Sequence, residues 1–374
     1  MNVAHFKLKS HFEFVDFCKG LAMLMIIVVH SGQSFPDMSR FIFYGTIYGQ
    51  MGCQLFLMMS AFLLCVSFEK GKLNSIEYYI SKYFKLIIPF VLAMIVYMVI
   101  CQFGSNRFVA HIYNPKYSLK NFILNLLLLQ QVNIDGYNSL VPGGWYLGAL
   151  WLIYLLFPFI CKVYNKLSNK NVILVYVLPV VVLLIVIFLQ TILISNGIYR
   201  VGNNTFLYFS LINQFPAVWM GIKLYFDVVS GRVEYKDKSR LLIMFIILTC
   251  ISLIVLKIDK YYSFPMAVFF SSCSFYSLSK YIYIIIKGNK IPILVDKIIS
   301  NCGKNSLGIY LTHFIYAWFV PQCFLSKICI NQTALFLVYL LLTFILSYLT
   351  GIVFNAINNC VTGFWLRTIK RYGN

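Results

Sequence analysis

The chain has 374 residues, of which 60% are hydrophobic, 18% aromatic and only 11% charged, with a formal net charge of +20. A soluble domain carries about 25% charged residues, so the composition excludes the ordinary globular classes. The basic residues lie in short loops between apolar runs rather than on one folded face, so the charge reports membrane orientation and gives no reason to expect a nucleic-acid partner.

The apolar runs are about 18 to 25 residues long, the length at which a helix crosses about 30 Å of hydrocarbon. The expected fold is all-α: a polytopic membrane protein with about ten transmembrane helices, organised as one transmembrane domain over 1–374. The spans are expected near 17–34, 44–68, 84–104, 145–164, 172–194, 206–226, 240–257, 264–286, 305–324 and 333–357. Twenty Lys and Arg fall on the side of the N-terminus and eight on the other, so both termini are expected in the cytoplasm of a bacterial cell with the chain in its inner membrane.

The first span, Val15 to His30, carries an acid, a base and an imidazole in apolar surroundings. An eleven-residue step puts Lys19 and His30 within about 20° of one helix face and about 16 Å apart along the axis. Two readings stand: a path with a charge at its mouth and a titratable base deeper in, or interfacial anchors (Asp16, Lys19) and a packed histidine. The span does not resemble a cleavable signal peptide, since HSGQSFP follows it without a small-residue cleavage pattern.

Between the third and fourth spans, NFILNLLLLQQ (121–131) is too short to span. It predicts a re-entrant or interfacial outer helix near 119–131. Trp145 and Tyr146 open the next span at its outer end, as an aromatic belt or as a platform for a sugar. The eleven cysteines mostly fall in or beside spans and read as apolar fillers, with Cys323 and Cys329 a possible outer pair. The five histidines show no close ligand spacing, so no metal is expected.

Four stretches resemble the membrane acyltransferase 3 family, whose bacterial members acylate surface and exported carbohydrates. The opening span has a basic residue, ten intervening residues and a histidine, here Lys19 and His30, with lysine where many members have arginine. GQMGCQLFLMMSAFLL (49–64) is similar to the family's second span, with Ala61 where a glycine is common. Lys82 and Lys85 occupy the positions of a two-arginine motif at the cytoplasmic end of the third span. GGWYLGALWLIYLLFP (143–158) and NCGKNSLGIYLTHF (301–314) complete the resemblance, the latter through Ser306, Ile309, Tyr310, Leu311 and His313. A glutamate found in one branch's version of the 143–158 span is absent.

The resemblance implies an O-acyltransferase that moves an acyl group, acetyl first among candidates, from cytoplasmic acetyl-coenzyme A to a hydroxyl of a cell-surface or exported polysaccharide, or its lipid-linked precursor. The expected partners are acyl-coenzyme A, that glycan and membrane lipid. Lys82 and Lys85, three apart on one helix face, would meet the donor's phosphates together with Lys19, or else serve only as topology signals. His30 would act as general base or as acyl carrier. Its orienting partner is not identified; Asp37, Asp135 and Asp259 are the outer acids, and Gln50 and Gln54 lie at similar depth. Gln54, Trp145, Tyr146 and Tyr310 are candidates for substrate contact. His313, one turn from Tyr310, lines the acyl path or fixes helix packing. The competing class is a transporter or flippase of a lipid-linked glycan, against which stands the lack of a visible inverted repeat.

Overall fold

Helices account for almost every described residue because a chain this apolar has only itself to satisfy its backbone in hydrocarbon. The structure, a computed structural model, describes residues 12–35, 37–103, 116–134, 136–197, 206–258, 262–320 and 331–372, and contains no strand among them. The principal helices are α1 (Glu13–Gly32), α2 (Arg40–Ile47), α3 (Gly52–Glu69), α4 (Ile76–Phe103), α5 (Leu119–Leu126) and α6 (Trp145–Lys170). They continue with α7 (Val172–Ser195), α8 (Leu211–Val229), α9 (Lys238–Ile258), α10 (Ser263–Lys287), α11 (Ile293–Lys304), α12 (Ser306–Phe314) and α13 (Gln332–Tyr372). Cys323 and Cys329 lie outside the described residues.

Among the described residues, seven helical stretches are long and apolar enough to cross a membrane. The other three expected spans are helical where expected but fall short of that standard, each for a visible reason. Helix α8 buries Asn213, Gln214, Lys223 and Asp227, and α10 buries six serines. The last of these three, expected at 305–324, begins as α12, changes pitch to a π turn over Ile315–Phe319, and is described only to residue 320.

The chain forms two compact units, both assembled from separated stretches. The first comprises Met1–Lys19, Cys53–Leu73 and Leu152–Ser300; the second comprises Gly20–Gly52, Asn74–Trp151 and Asn301–Asn374. In the first unit α8 is the central helix, buried along nearly its whole length, and the Trp219 indole donates to the Val175 carbonyl of α7 at 2.7 Å. Helices α9 and α10 are joined by hydroxyls: Thr249 bonds Ser274 at 2.7 Å and Ser252 donates to the Ala267 carbonyl at 3.1 Å. Small hydroxyl residues allow that close approach where lipid supplies no hydrophobic drive between helices. Only 17% of α7's most apolar window is buried, as expected of a lipid-facing helix.

In the second unit the segment before α6 turns into the protein. Helix α5 buries Asn121 and Asn125 and leaves Leu119, Ile123 and Leu126 exposed, an arrangement suited to lipid outside and polar backbone inside. The Tyr83 hydroxyl near the start of α4 donates to the Leu126 carbonyl at 2.6 Å. The Gln130 and Gln131 amides, just beyond, donate to the carbonyls of Gly144 and Trp145, both at 2.8 Å. The segment is thus tied to α4 seven residues from its start and to the first turn of α6.

Candidate active site

The site grows from the last turn of α1. After His30 the chain reads SGQS and closes on itself, with the Gln33 amide donating to the Val29 carbonyl and the Ser34 amide to the Ser31 carbonyl. Gln33 and Ser34 then grip the π turn. The Ser34 hydroxyl donates to the Ala317 carbonyl at 2.6 Å, and the Trp318 indole donates to Gln33 Oε1 at 3.1 Å. The Tyr339 hydroxyl donates to the Tyr316 carbonyl. A π turn disturbs the ordinary hydrogen-bond ladder, and side chains from α13 and from the end of α1 supply partners to two of its carbonyls.

This grip fixes the state of His30. Its Nδ1 lies 3.0 Å from the same Gln33 Oε1. An indole N–H can only donate, so the Gln33 atom facing Trp318 must be the oxygen, and an amide oxygen can only accept. His30 Nδ1 therefore carries the hydrogen, and in the neutral ring Nε2 holds the free lone pair. The partner sought among acids is thus a glutamine. Asp37 is exposed, and Asp135 and Asp259 lie outside the described residues.

His313 is fixed in the same sense by different means. It is fully buried, and its Nδ1 lies 2.6 Å from the Tyr310 carbonyl, an obligate acceptor. Its Nε2 is buried with no hydrogen-bond partner among the described residues. The two imidazoles sit with ring centroids 5.3 Å apart. The Phe314 ring lies tilted against both, at 4.3 Å from His30 and 4.0 Å from His313, and Trp318 meets His30 edge-on at 5.5 Å. Two imidazoles, each with Nδ1 held by an acceptor, can accept a proton at Nε2, and among the described residues no carboxylate pairs with either ring.

Tyr310 and the opening of α6 extend the wall. The Tyr310 ring lies 5.6 Å from His313 and 5.1 Å from Tyr146, and its hydroxyl donates to the Gly143 carbonyl at 2.8 Å. Gly143 has φ of +76°, and a side chain there would meet the Tyr310 hydroxyl, so backbone sign and space both demand glycine. Trp145 and Tyr146 are 4% and 5% exposed, which places them inside the unit instead of in a lipid-facing belt.

Lys82 and Lys85 stand in the first third of α4. Lys82 is half-buried with Nζ 5.3 Å above the Tyr78 ring, and Lys85 is exposed, its carbonyl accepting from Asn358 at 3.3 Å. Twelve residues further along α4, about 18 Å at helical rise, the Tyr97 hydroxyl donates to the Leu311 carbonyl at 3.1 Å, two residues before His313. The structure therefore brings together His30, His313, Tyr310, Tyr146 and Trp145, and places the lysine pair in the same unit one long step away. Lys19 and Gln54 belong to the other unit, where Gln54 is fully buried and donates to Gln214 Oε1 at 2.7 Å.

Three residues of this arrangement escaped the sequence reading: Gln33, Phe314 and Trp318. Gln33 sits three residues after His30, a spacing that helical geometry brings together, but a lone glutamine at a span's end carries no signal of its own. Phe314 and Trp318 looked like two more aromatics in a chain with 34 Phe and 5 Trp.

Comparison with known proteins adds the family. No curated protein and no solved structure matches the chain. A family model described as an acyltransferase domain, Acyl_transf_3, matches residues 12–352, so all the groups of this site lie within the matched region. With nine-tenths of its length inside that match, the chain belongs to the Acyl_transf_3 family of acyltransferases.

Proposed function

We propose that the protein transfers an acetyl group from cytoplasmic acetyl-coenzyme A to a hydroxyl of a cell-surface or exported polysaccharide, or of its lipid-linked precursor, from a bacterial inner membrane with both termini in the cytoplasm. The observation that carries this reading is Gln33 Oε1 lying 3.0 Å from His30 Nδ1 and 3.1 Å from the Trp318 indole nitrogen, which assigns the hydrogen to Nδ1 and leaves Nε2 as an acceptor on a partly buried residue. A sugar hydroxyl attacks a thioester carbonyl poorly unless its proton is taken as the bond forms. Nε2 of His30 takes that proton as the new C–O bond forms; the tetrahedral intermediate then expels the thiolate as the C–S bond breaks, and the imidazolium returns the proton to sulfur. An acyl-imidazole on His30 is the covalent variant, in which Nε2 attacks first and the hydroxyl follows.

His313 lines the wall opposite and supplies a second neutral acceptor without a competing charge. Lys82 and Lys85 suit the donor's phosphates, and the length of α4 from Lys85 to the level of Leu311 is of the order of an extended pantetheine arm. Lys19, at the family's spacing before His30, is the third cation proposed for the donor. Tyr146 and Trp145, by way of the Tyr310 ring, are the proposed contacts of the acceptor.

The test is direct. Purified protein in nanodiscs, given acetyl-coenzyme A labelled in the acetyl group, should release free thiol and transfer label to glycan extracted from the producing cells. Retention of the label on the thioester with folded protein and every extracted glycan fraction would overturn the reading and favour glycan transport.

A further inference from the structure

The first unit holds a group of charges that acyl transfer does not use. Asp227 on α8 is 3% exposed and faces three cations. Lys223 Nζ lies 3.1 Å from Oδ2, Lys280 Nζ of α10 lies 3.3 Å from the same oxygen, and Arg232 lies 3.8 Å from Oδ1. The Tyr276 hydroxyl also donates to Oδ2. The lysine ammoniums rest on aromatic faces: Lys223 at 5.1 Å from the Tyr176 ring, and Lys280 at 5.0 Å from the Tyr276 ring.

Arg232 arrives there by a helix-ending motif. Ser230 caps α8, Gly231 at φ +69° donates to the Val228 carbonyl, and the Arg232 amide folds back to the Asp227 carbonyl. That is the Schellman pattern, and it turns the guanidinium over the carboxylate. The Arg232 side chain is 49% exposed while those of Lys223 and Lys280 are 6% and 12% exposed, so the cluster has one open edge, through the arginine.

The charges do not balance. Two lysines and an arginine share one carboxylate, and among the described residues neither lysine has a second acid partner. Ions taken out of water are strongly disfavoured unless paired, and one carboxylate cannot neutralise two ammoniums and a guanidinium. A further anion at the open edge would complete the set. A phosphate group fits the donors best, since an arginine fork and an ammonium together offer several N–H groups to a compact oxyanion.

We infer that the Lys280–Arg232 edge of this cluster is a binding site for a phosphate group, carried by an anionic lipid headgroup or by a soluble phosphate compound. The inference rests on the first unit alone and stands whether or not the acyl-transfer reading does.

Full-length protein in phosphatidylcholine nanodiscs would be titrated with inorganic pyrophosphate while its melting temperature is followed, and in parallel reconstituted with phosphatidic acid and no soluble phosphate. A saturable rise with pyrophosphate identifies the soluble source, and a rise only with phosphatidic acid identifies the lipid. In either arm Lys280→Gln should weaken the apparent affinity about tenfold, the effect of losing one charged hydrogen bond, and Lys280→Arg should retain it. Should Lys280→Gln fail to insert, Arg232→Gln on the exposed flank supplies the same comparison. The Lys82→Ala/Lys85→Ala variant should respond as wild type does, which separates this site from the proposed donor lysines. No saturable response to either probe, or an unaltered response in the Lys280→Gln or Arg232→Gln protein, would overturn the inference.

Discussion

Each unit buries titratable side chains among apolar helices, and the two handle the problem in opposite ways. Around Asp227 the groups are charged, and every polar contact is made by another charge, a hydroxyl or an aromatic face. Around His30 and His313 the groups are held by neutral partners, a glutamine oxygen and a backbone carbonyl, and each ring keeps an unshared nitrogen. An ion cluster holds position at the expense of reactivity, because its lone pairs are occupied. A neutral imidazole whose second nitrogen is free holds position through one nitrogen and offers the other to chemistry. Substitutions in the two places should therefore separate turnover from stability.

The largest effect is expected at His30. His30→Ala should lower turnover about a hundredfold to ten-thousandfold, the usual contribution of a positioned general base, with an unchanged melting temperature and intact donor binding by calorimetry. Full activity in a folded His30→Ala protein would make the histidine pair a packing device like its counterpart. The reverse pattern should hold at Asp227. Asp227→Ala strands Lys223 and Lys280 without their carboxylate, at a cost of about 3 to 5 kcal/mol, read as a fall in melting temperature with unchanged activity per folded molecule. Lys223→Met should cost less, because Lys280 and Arg232 still face the acid.

A smaller effect sharpens the account of why His30 is competent. Gln33→Leu removes the acceptor that holds the Nδ1 hydrogen and should reduce turnover about tenfold to a hundredfold, the range seen when a histidine's orienting partner is lost. Gln33→Glu should recover activity, since a carboxylate accepts from both Nδ1 and the Trp318 indole; equal loss in both variants would reduce Gln33 to a helix cap. The smallest effect is expected at the lysine pair. Lys82→Ala with Lys85→Ala should raise the donor KM about tenfold at unchanged kcat, the effect of losing one or two charged hydrogen bonds made by a half-buried and an exposed lysine. Arginine at both positions should preserve it, and unchanged donor kinetics in the double alanine variant would leave these lysines as topology signals.

The sequence by itself determined the all-helical membrane class, because a spanning segment needs only a run of apolar residues of sufficient length and intrahelical hydrogen bonds. It singled out His30, His313 and Tyr310 through a spacing shared with a family, which is information along the chain. It left open whether 119–131 lay on the surface or dipped inward, since either needs the same short apolar run. Tertiary contacts show what the segment packs against, through Tyr83, Gln130 and Gln131. Lys223, Asp227 and Lys280 were not singled out in the sequence; residues 223 and 280 lie on different helices, and only packing shows that they share one carboxylate. Most of all, the chemistry of His30 turns on which nitrogen carries its hydrogen. That depends on an indole 285 residues from Gln33 along the chain, so proximity, which only folding creates, sets the state of a group whose identity was plain from the start.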